Sequence, residues 1–429
     1  MRHRILMVSD FFYPNFGGVE SHIYQLSQCL IKLGHKVVIL THAYGERTGV
    51  RYLTEGLKVY YAARPPFYLQ SSFPTFFGGF RLLRSVLIRE KITLVHSHQA
   101  FSMLGDQAVV YARTMGYKVV FTDHSLFGFA DLASIVINKI MKYVLCDAHG
   151  VICVSHTSKE NIVLRACIPP SRVYVIPNAV DARHFEPLEF PRNDGFVTIV
   201  SLTRLVYRKG LDLIAAIMPE VIRKHPNVRI IICGDGPKKK LLEEVIAREE
   251  LEGRVELLPG VPHNKARSIL VKGDIFLNAS LTEAFCIAIV EAASAGLRVV
   301  STKVGGVPEV LPSDMMLLAE PNPQSLLDGL DSAIESISTV DPWKQHAKVE
   351  KMYSWQRVAE RTEQVYDEVC RSDRDDSMLA RLVRFHRCGF VAGKIFCFLS
   401  SMHHMYWRLV EWWDPADEID IAPDLSFGG

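Results

Sequence analysis

The sequence predicts an α/β protein of two similar parallel-sheet domains followed by a hydrophobic tail. Three observations carry that expectation. The chain has 429 residues, more than one hydrophobic core normally holds. Short β-branched runs alternate with helix-period segments, the pattern of parallel strands joined by crossovers. Near residue 196 the pattern starts again and repeats the first half.

Composition narrows the function classes. The formal net charge of +2 implies no electrostatic footprint for nucleic acid. Hydrophobic residues make up 48% of the chain, and the mean hydropathy of +0.11 is high for a soluble enzyme and hints at a membrane surface. The nine cysteines include no Cys-x-x-Cys pair, so neither a disulfide framework nor a zinc knuckle is indicated. The apolar run 5–8 is too short for the core of a signal peptide and reads as a first strand. The sequon at Asn278 falls inside a candidate site and is read as a chance match.

Taken in order, residues 4–9 form a buried strand, and Phe16-Gly17-Gly18 is a turn opening a helix over 19–33 that Gly34 stops. Strands follow at 36–41, at 93–96 before His96-Ser97-His98, and at 118–122 before Asp123-His124. Ligands bind at the carboxyl ends of parallel strands, where Gly17, Gly18, His98 and His124 all fall. Gly17-Gly18 lets a backbone approach an anion closely, or is a plain turn. His124 is a titratable donor near neutral pH, or a core histidine bonded to Asp123 or to backbone. For His96 and His98 no third metal ligand is apparent. Residues 62–80 carry six aromatics. With segment 126–144 they form either an apolar lip that meets lipid or a long buried loop.

A Pro, Asn and Gly linker near 180–196 divides domain 1–190 from domain 191–353. The second domain reads as strand 196–202, basic loop 204–210, helix 211–223, strand 228–233 and glycine turn 234–237. A charged helix to 250 and strands 255–258 and 275–279 follow. Two such domains facing across a cleft is the expected architecture.

Stretch 278–312 then reads as a site. Ser280 and Thr282 cap a helix, placing Glu283 at its mouth, Glu291 two turns in, and Glu309 in the Gly-Gly loop beyond. The N–H groups of Phe285, Cys286 and Ile287 point outward as an anion site. At about 1.5 Å per residue the two carboxylates lie ~12 Å apart. That excludes the ~5–5.5 Å pair of a retaining glycosidase and suits two grips on one elongated ligand. The plainer alternative is a Glu283 that complements the macrodipole and a solvated Glu291.

Thr203-Arg204-Leu205, Arg208-Lys209-Gly210, Gly234-Asp235-Gly236-Pro237, the Glu283/Glu291 pair and Gly305-Gly306-Val307-Pro308-Glu309 occur in an order and spacing that resembles the family-four retaining nucleotide-sugar glycosyltransferases. That family has the GT-B fold of two Rossmann-like domains, and the resemblance covers about residues 1–370. Three stretches are more specific: 121–131 (FTDHSLFGFAD), 176–181 (IPNAVD) and 202–210 (LTRLVYRKG). They resemble the catalytic subunits of phosphatidylinositol N-acetylglucosaminyltransferases, which start glycosylphosphatidylinositol anchor synthesis.

The resemblance implies a UDP-N-acetylglucosamine donor, a phosphatidylinositol acceptor and retention of configuration. It implies other subunits of a membrane transferase complex as partners, and the endoplasmic reticulum membrane with the catalytic domains on its cytosolic face. Arg204 and Lys209 would hold the leaving diphosphate, Glu283 the donor sugar and Glu291 the ribose. Gly17 and Gly18 would approach the phosphates, Val261 the uracil, and His124 the sugar and attacking inositol hydroxyl. No metal or other cofactor is expected. Phe76 and Phe77 in the aromatic stretch are the acceptor and membrane candidates. Residues 354–370 would cross back to brace the first domain, and 371–429 would be a tail. Within that tail, 388–413 has the length of a membrane span, but Lys394, two His, Arg408 and Glu411 interrupt it. Arg381, Arg384 and Arg387 before it and acidic residues after it give the orientation. Other lipid or sugar acceptors, or a non-catalytic scaffold, are the alternatives.

Overall fold

The β-branched runs become the strands of two sheets in the computed structural model. It describes residues 1–424 except 16, 65, 69, 74, 127–131, 191 and 193, and leaves the side chains of 68 and 132–136 undescribed. Phe16 and the 127–131 part of the expected motif therefore lie outside the described residues. The chain divides into two units, Met1–Pro177 with Gln356–Gly429, and Asn178–Trp355.

In the first unit the strands are β1 (Arg4–Val8), β2 (Lys36–His42), β3 (Gly49–Tyr52), β4 (Lys58–Ala62), a small hairpin β5 (Pro66–Tyr68) and β6 (Ser71–Ser72), then β7 (Leu94–His98), β8 (Lys118–Asp123), β9 (Gly150–Cys153) and β10 (Val173–Val175). The main sheet has the order β10-β9-β8-β7-β1-β2-β4-β3. Only the β3–β4 edge is antiparallel. Leu6, Val38, Val95, Phe121 and Val151, all buried, fill its core with the crossover helices. Register pairs Val8 with Ser97 and His98 with Thr122, so the ends of β1, β7 and β8 lie side by side.

The second unit has β11 (Val197–Leu202), β12 (Val228–Cys233), β13 (Val255–Leu258), β14 (Ile275–Asn278), β15 (Arg298–Thr302) and β16 (Met316–Ala319). All are parallel, in the order β13-β12-β11-β14-β15-β16. This is the doubly wound order, with its switch point between β11 and β14, where ligands bind.

The boundary falls after Pro177 rather than at the expected 190. Phe185 is buried, and the Arg267 guanidinium donates to the carbonyls of Glu186 (2.7 Å) and Pro187 (3.1 Å). Those contacts tie the segment after Asn178 to the second sheet. The helix Trp355–Arg371 packs on the first sheet, where Tyr366 and His96 share a 2.6 Å hydrogen bond and Asp367 meets His3 at 2.8 Å.

The tail is a helical pair, Met378–His386 and Ala392–Trp413. Among the described residues no helix is long and apolar enough to cross a membrane. A buried carboxylate fastens the pair to the first unit, together with the Arg84–Glu411 ion pair (2.8 Å). Asp147 takes ion pairs from Arg113 (3.3 Å), Arg374 (2.8 Å), Arg381 (2.7 Å) and Arg384 (2.9 Å). Burial would raise its pKa, but the four guanidinium groups outweigh that and hold it at about 2. Arg381 and Arg384, expected to orient a membrane segment, are thus committed to docking the tail.

Candidate active site

The loop after β11 and the loop after β14 build the first cluster. Gly210 has a φ of 67°, and a Cβ there would run into the carbonyl oxygen of Ala279. Glycine therefore lets the basic loop lie on the backbone that leads to Glu283. The Lys209 ammonium pairs with Glu283 Oε1, which also accepts from the Ser280 hydroxyl at 2.8 Å. Burial alone would lower the Lys209 pKa; the Glu283 charge and hydrogen bond reverse that and raise it. The exposed Arg204 guanidinium is close enough to oppose this and makes no hydrogen bond or ion pair among the described residues. A fixed ammonium, a guanidinium left open to a ligand and an oriented carboxylate are what a diphosphate leaving group and a sugar hydroxyl require.

Glu283 does not begin a helix. The helix runs Ile287–Ser294, and its N-cap Cys286 is left-handed (φ 67°), which breaks the run that Ser280 and Thr282 were expected to start. Of the three N–H groups assigned to the helix mouth, only that of Ile287 belongs to the helix. The ~12 Å separation derived from helical rise therefore does not apply. Cys286 sits near both carboxylates instead. Burial, then the Glu283 charge, with a smaller share from Glu291, push its thiol to about 12. Phe285 is buried against Tyr353, ring centroids 5.6 Å apart.

Glu291 is buried rather than solvated. Its Oε1 lies 2.6 Å from His263 Nε2, and that hydrogen bond raises the His263 pKa. His263 was not anticipated, although its place two residues after Val261 was the available signal. Val261 itself lies near the end of β12, its backbone lowering the Cys233 pKa against the larger effect of burial. Glu309 is exposed.

In the first unit Gly17 precedes the helix Gly18–Lys32 as its extended N-cap. A Cβ on Gly17 would strike the Glu20 carboxylate, whereas Gly18 has open space. The His124 ring is paired with His98 rather than with Asp123, whose carboxyl is met by the His124 backbone instead. Its Nε2 lies 3.4 Å from His98 Nδ1, and its ring centroid is 4.6 Å from that of His22. Burial, then His22 and His96, hold its pKa well below the usual histidine value. The Asp123 carboxyl is pushed up to about 7 by burial. His96 is a core residue, bonded to Tyr366 and Thr122 through its two nitrogens.

Phe76 and Phe77 lie against the tail helix. Phe76 stacks on His403 (4.5 Å) and Phe77 packs on Tyr406 (4.4 Å), while His403 Nε2 bonds the Phe76 carbonyl at 2.9 Å. Phe76 remains partly exposed, as do Phe67 and Phe73 of the same stretch.

Comparison with known proteins gives the family. Residues 42–131 match the family model described as PIGA (GPI anchor biosynthesis), and residues 183–350 match that of glycosyl transferases group 1. The chain is 56% identical over 98% of its length to a phosphatidylinositol N-acetylglucosaminyltransferase subunit of Arabidopsis thaliana, spanning 94% of that protein. It is 53% identical over 99% of its length to the human protein of the same name, spanning 88% of it. Among solved structures, a sucrose-phosphate synthase from Thermosynechococcus elongatus superposes with a TM-score of 0.70 at 18% identity, covering 86% of this chain and 99% of that one. That likeness establishes the GT-B-type α/β fold. The chain belongs to the PIGA family of phosphatidylinositol N-acetylglucosaminyltransferase subunits, which are glycosyltransferases.

Proposed function

We propose that the chain transfers N-acetylglucosamine from UDP-N-acetylglucosamine to phosphatidylinositol with retention of configuration, the first step of GPI anchor synthesis. The observation that carries this reading is the Lys209–Glu283 pair with Arg204 beside it, intact in a chain similar to these transferase subunits over 98% of its length. Arg204 and Lys209 neutralise the diphosphate as it departs. Glu283 orients the donor sugar, Glu291 takes the ribose, and Val261 lies by the uracil. Gly17 and Gly18 admit the phosphates to close backbone approach, and His124 faces the sugar and the inositol hydroxyl. Attack comes on the face the diphosphate leaves. The anomeric C–O bond to phosphate breaks as the inositol oxygen bonds that carbon, and a leaving phosphate oxygen takes the hydroxyl proton. The two cations supply the charge compensation, so this scheme calls for no metal.

The acceptor's acyl chains require a membrane seat, and the tail supports one. Val391, Ile395, Phe398, Met405, Leu409 and Trp412 are exposed and recur at intervals of three, four and seven, one stripe of a helix. Phe396, Ser400, His403 and Val410 on the same segment are buried. Lys394 and Arg408 have no carboxylate partner among the described residues, as suits an interfacial helix on anionic lipid. We place the chain on the cytosolic face of the endoplasmic reticulum membrane, with other subunits of a transferase complex.

A microsomal assay with labelled UDP-sugars and added phosphatidylinositol tests the reading. Product should form only from UDP-N-acetylglucosamine and phosphatidylinositol, and Glu283→Gln should abolish it with folding intact. Full activity in that variant would remove the assignment.

A further inference from the structure

We propose that His22, His98 and His124 form a binding site for one divalent transition-metal cation of the zinc class. The three come from separate elements at the switch point of the first sheet. His22 lies in the helix after β1, His98 ends β7, and His124 follows β8. One ring nitrogen from each lies within 4.8 Å of the other two.

The His98–His124 geometry is the specific part. At 3.4 Å the two nitrogens are long for an N–H···N bond. Two imidazoles bound at about 2.0–2.1 Å to one tetrahedral metal stand roughly 3.4 Å apart. The remaining separations, at most 4.8 Å, close by up to about 1.4 Å to reach the same range. His98 is fully buried, and its Nε2 has no hydrogen-bond partner among the described residues. That nitrogen is not the Nδ1 that meets His124, and a ring nitrogen left unbonded there is a cost that an apolar residue would avoid. His96 next to it has both nitrogens engaged, so it is not a ligand.

The chemistry selects the metal. Three imidazole nitrogens with a fourth position left for water suit zinc, or copper more tightly, and not magnesium or calcium, which take oxygen ligands. Metal on His124 engages the ring that the proposed reaction sets facing the sugar and the inositol hydroxyl. That consequence rests on the proposed transfer reaction; the binding does not.

The test uses the full chain, stripped with chelator, titrated with zinc chloride in a calorimeter without donor or lipid. One zinc per chain is expected, with magnesium unable to compete, and His98→Gln and His22→Gln should each weaken binding by at least about 100-fold. X-ray absorption of the zinc-loaded wild-type protein should show three imidazole nitrogens near 2.0 Å, a readout independent of how the variants fold. No stoichiometric zinc, an unchanged affinity in both folded variants, or sulfur or oxygen ligands in place of the imidazoles would overturn the site.

Discussion

His263 Nε2 lies 2.6 Å from Glu291 Oε1, so a buried carboxylate is covered by a half-exposed imidazole. The bond raises the His263 pKa above its ordinary 6.5. The pair's contribution to stability is therefore complete below about pH 6.5 and fades as pH rises through the higher folded value. Glu291→Gln should return the His263 titration toward 6.5 in an NMR pH series. Saturating UDP should shift it too if Glu291 turns to the ribose, and a titration unmoved by UDP would argue against that role.

Lys209 reaches Glu283 only because Gly210 lets the loop lie on the Ala279 carbonyl. Lys209→Gln should lower kcat/KM by roughly 10²–10³-fold with little change in melting temperature. Gly210→Ala meets both a left-handed φ and a backbone oxygen, so it should cost more than about 1 kcal/mol and activity together. Denaturant melts and initial rates on the same samples separate the two effects.

Asp147 should be the acid-sensitive lock of the tail. Its folded pKa of about 2 lies below the model-peptide value of 3.8, so its contribution is present above about pH 4 and lost between there and about pH 2. The shift corresponds to roughly 2 kcal/mol. Asp147→Asn leaves the buried Arg381 without its carboxylate, while Arg113, Arg374 and Arg384 keep Asp376, and should destabilise by roughly 3–5 kcal/mol. Protease cleavage after residue 371 should rise in that variant.

Replacing Ile395, Phe398 and Met405 by Ser should weaken sedimentation with phosphatidylinositol vesicles without changing the melting temperature, because those side chains face away from the protein. Phe76→Ser should weaken the same binding. Phe77→Ser should act mainly through stability, since that ring packs on Tyr406. Unchanged vesicle binding in the triple variant would remove the tail from the membrane contact.

Periodicity made the strands legible because each is a short apolar run bounded by turn residues, and β12 and β13 lie where the sequence places them. Lys209 and Glu283 were legible as chemistry through the order of their motifs. The secondary structure around Glu283 was not. A left-handed Cys286 carries no local signal, and apolar spacing over 284–293 reads as helix regardless. The meeting of His22, His98 and His124 depends on which strands are neighbours, and spacing along the chain does not report that. His96 and His98 look alike in sequence, yet only the fold gives one a tyrosine and a threonine and turns the other toward its fellow imidazoles. Arg381 and Arg384 likewise read as flanking charges until Asp147 is found beneath them.

The first unit is assembled from two separated stretches, 1–177 and 356–429, whereas the second is continuous from 178 to 355. Synthesis from the N-terminus therefore delivers every part of the second unit before the first is complete, and domains fold as units when their parts are present. The ribosome finishes the half that carries Lys209 and Glu283 first. The half that carries His124 waits for the last residues to emerge, with Asp147 and the face that receives Tyr366 uncovered until then. A premature stop just after residue 355 would thus leave one half whole and the other unfinished, a folding lesion more than a targeting one.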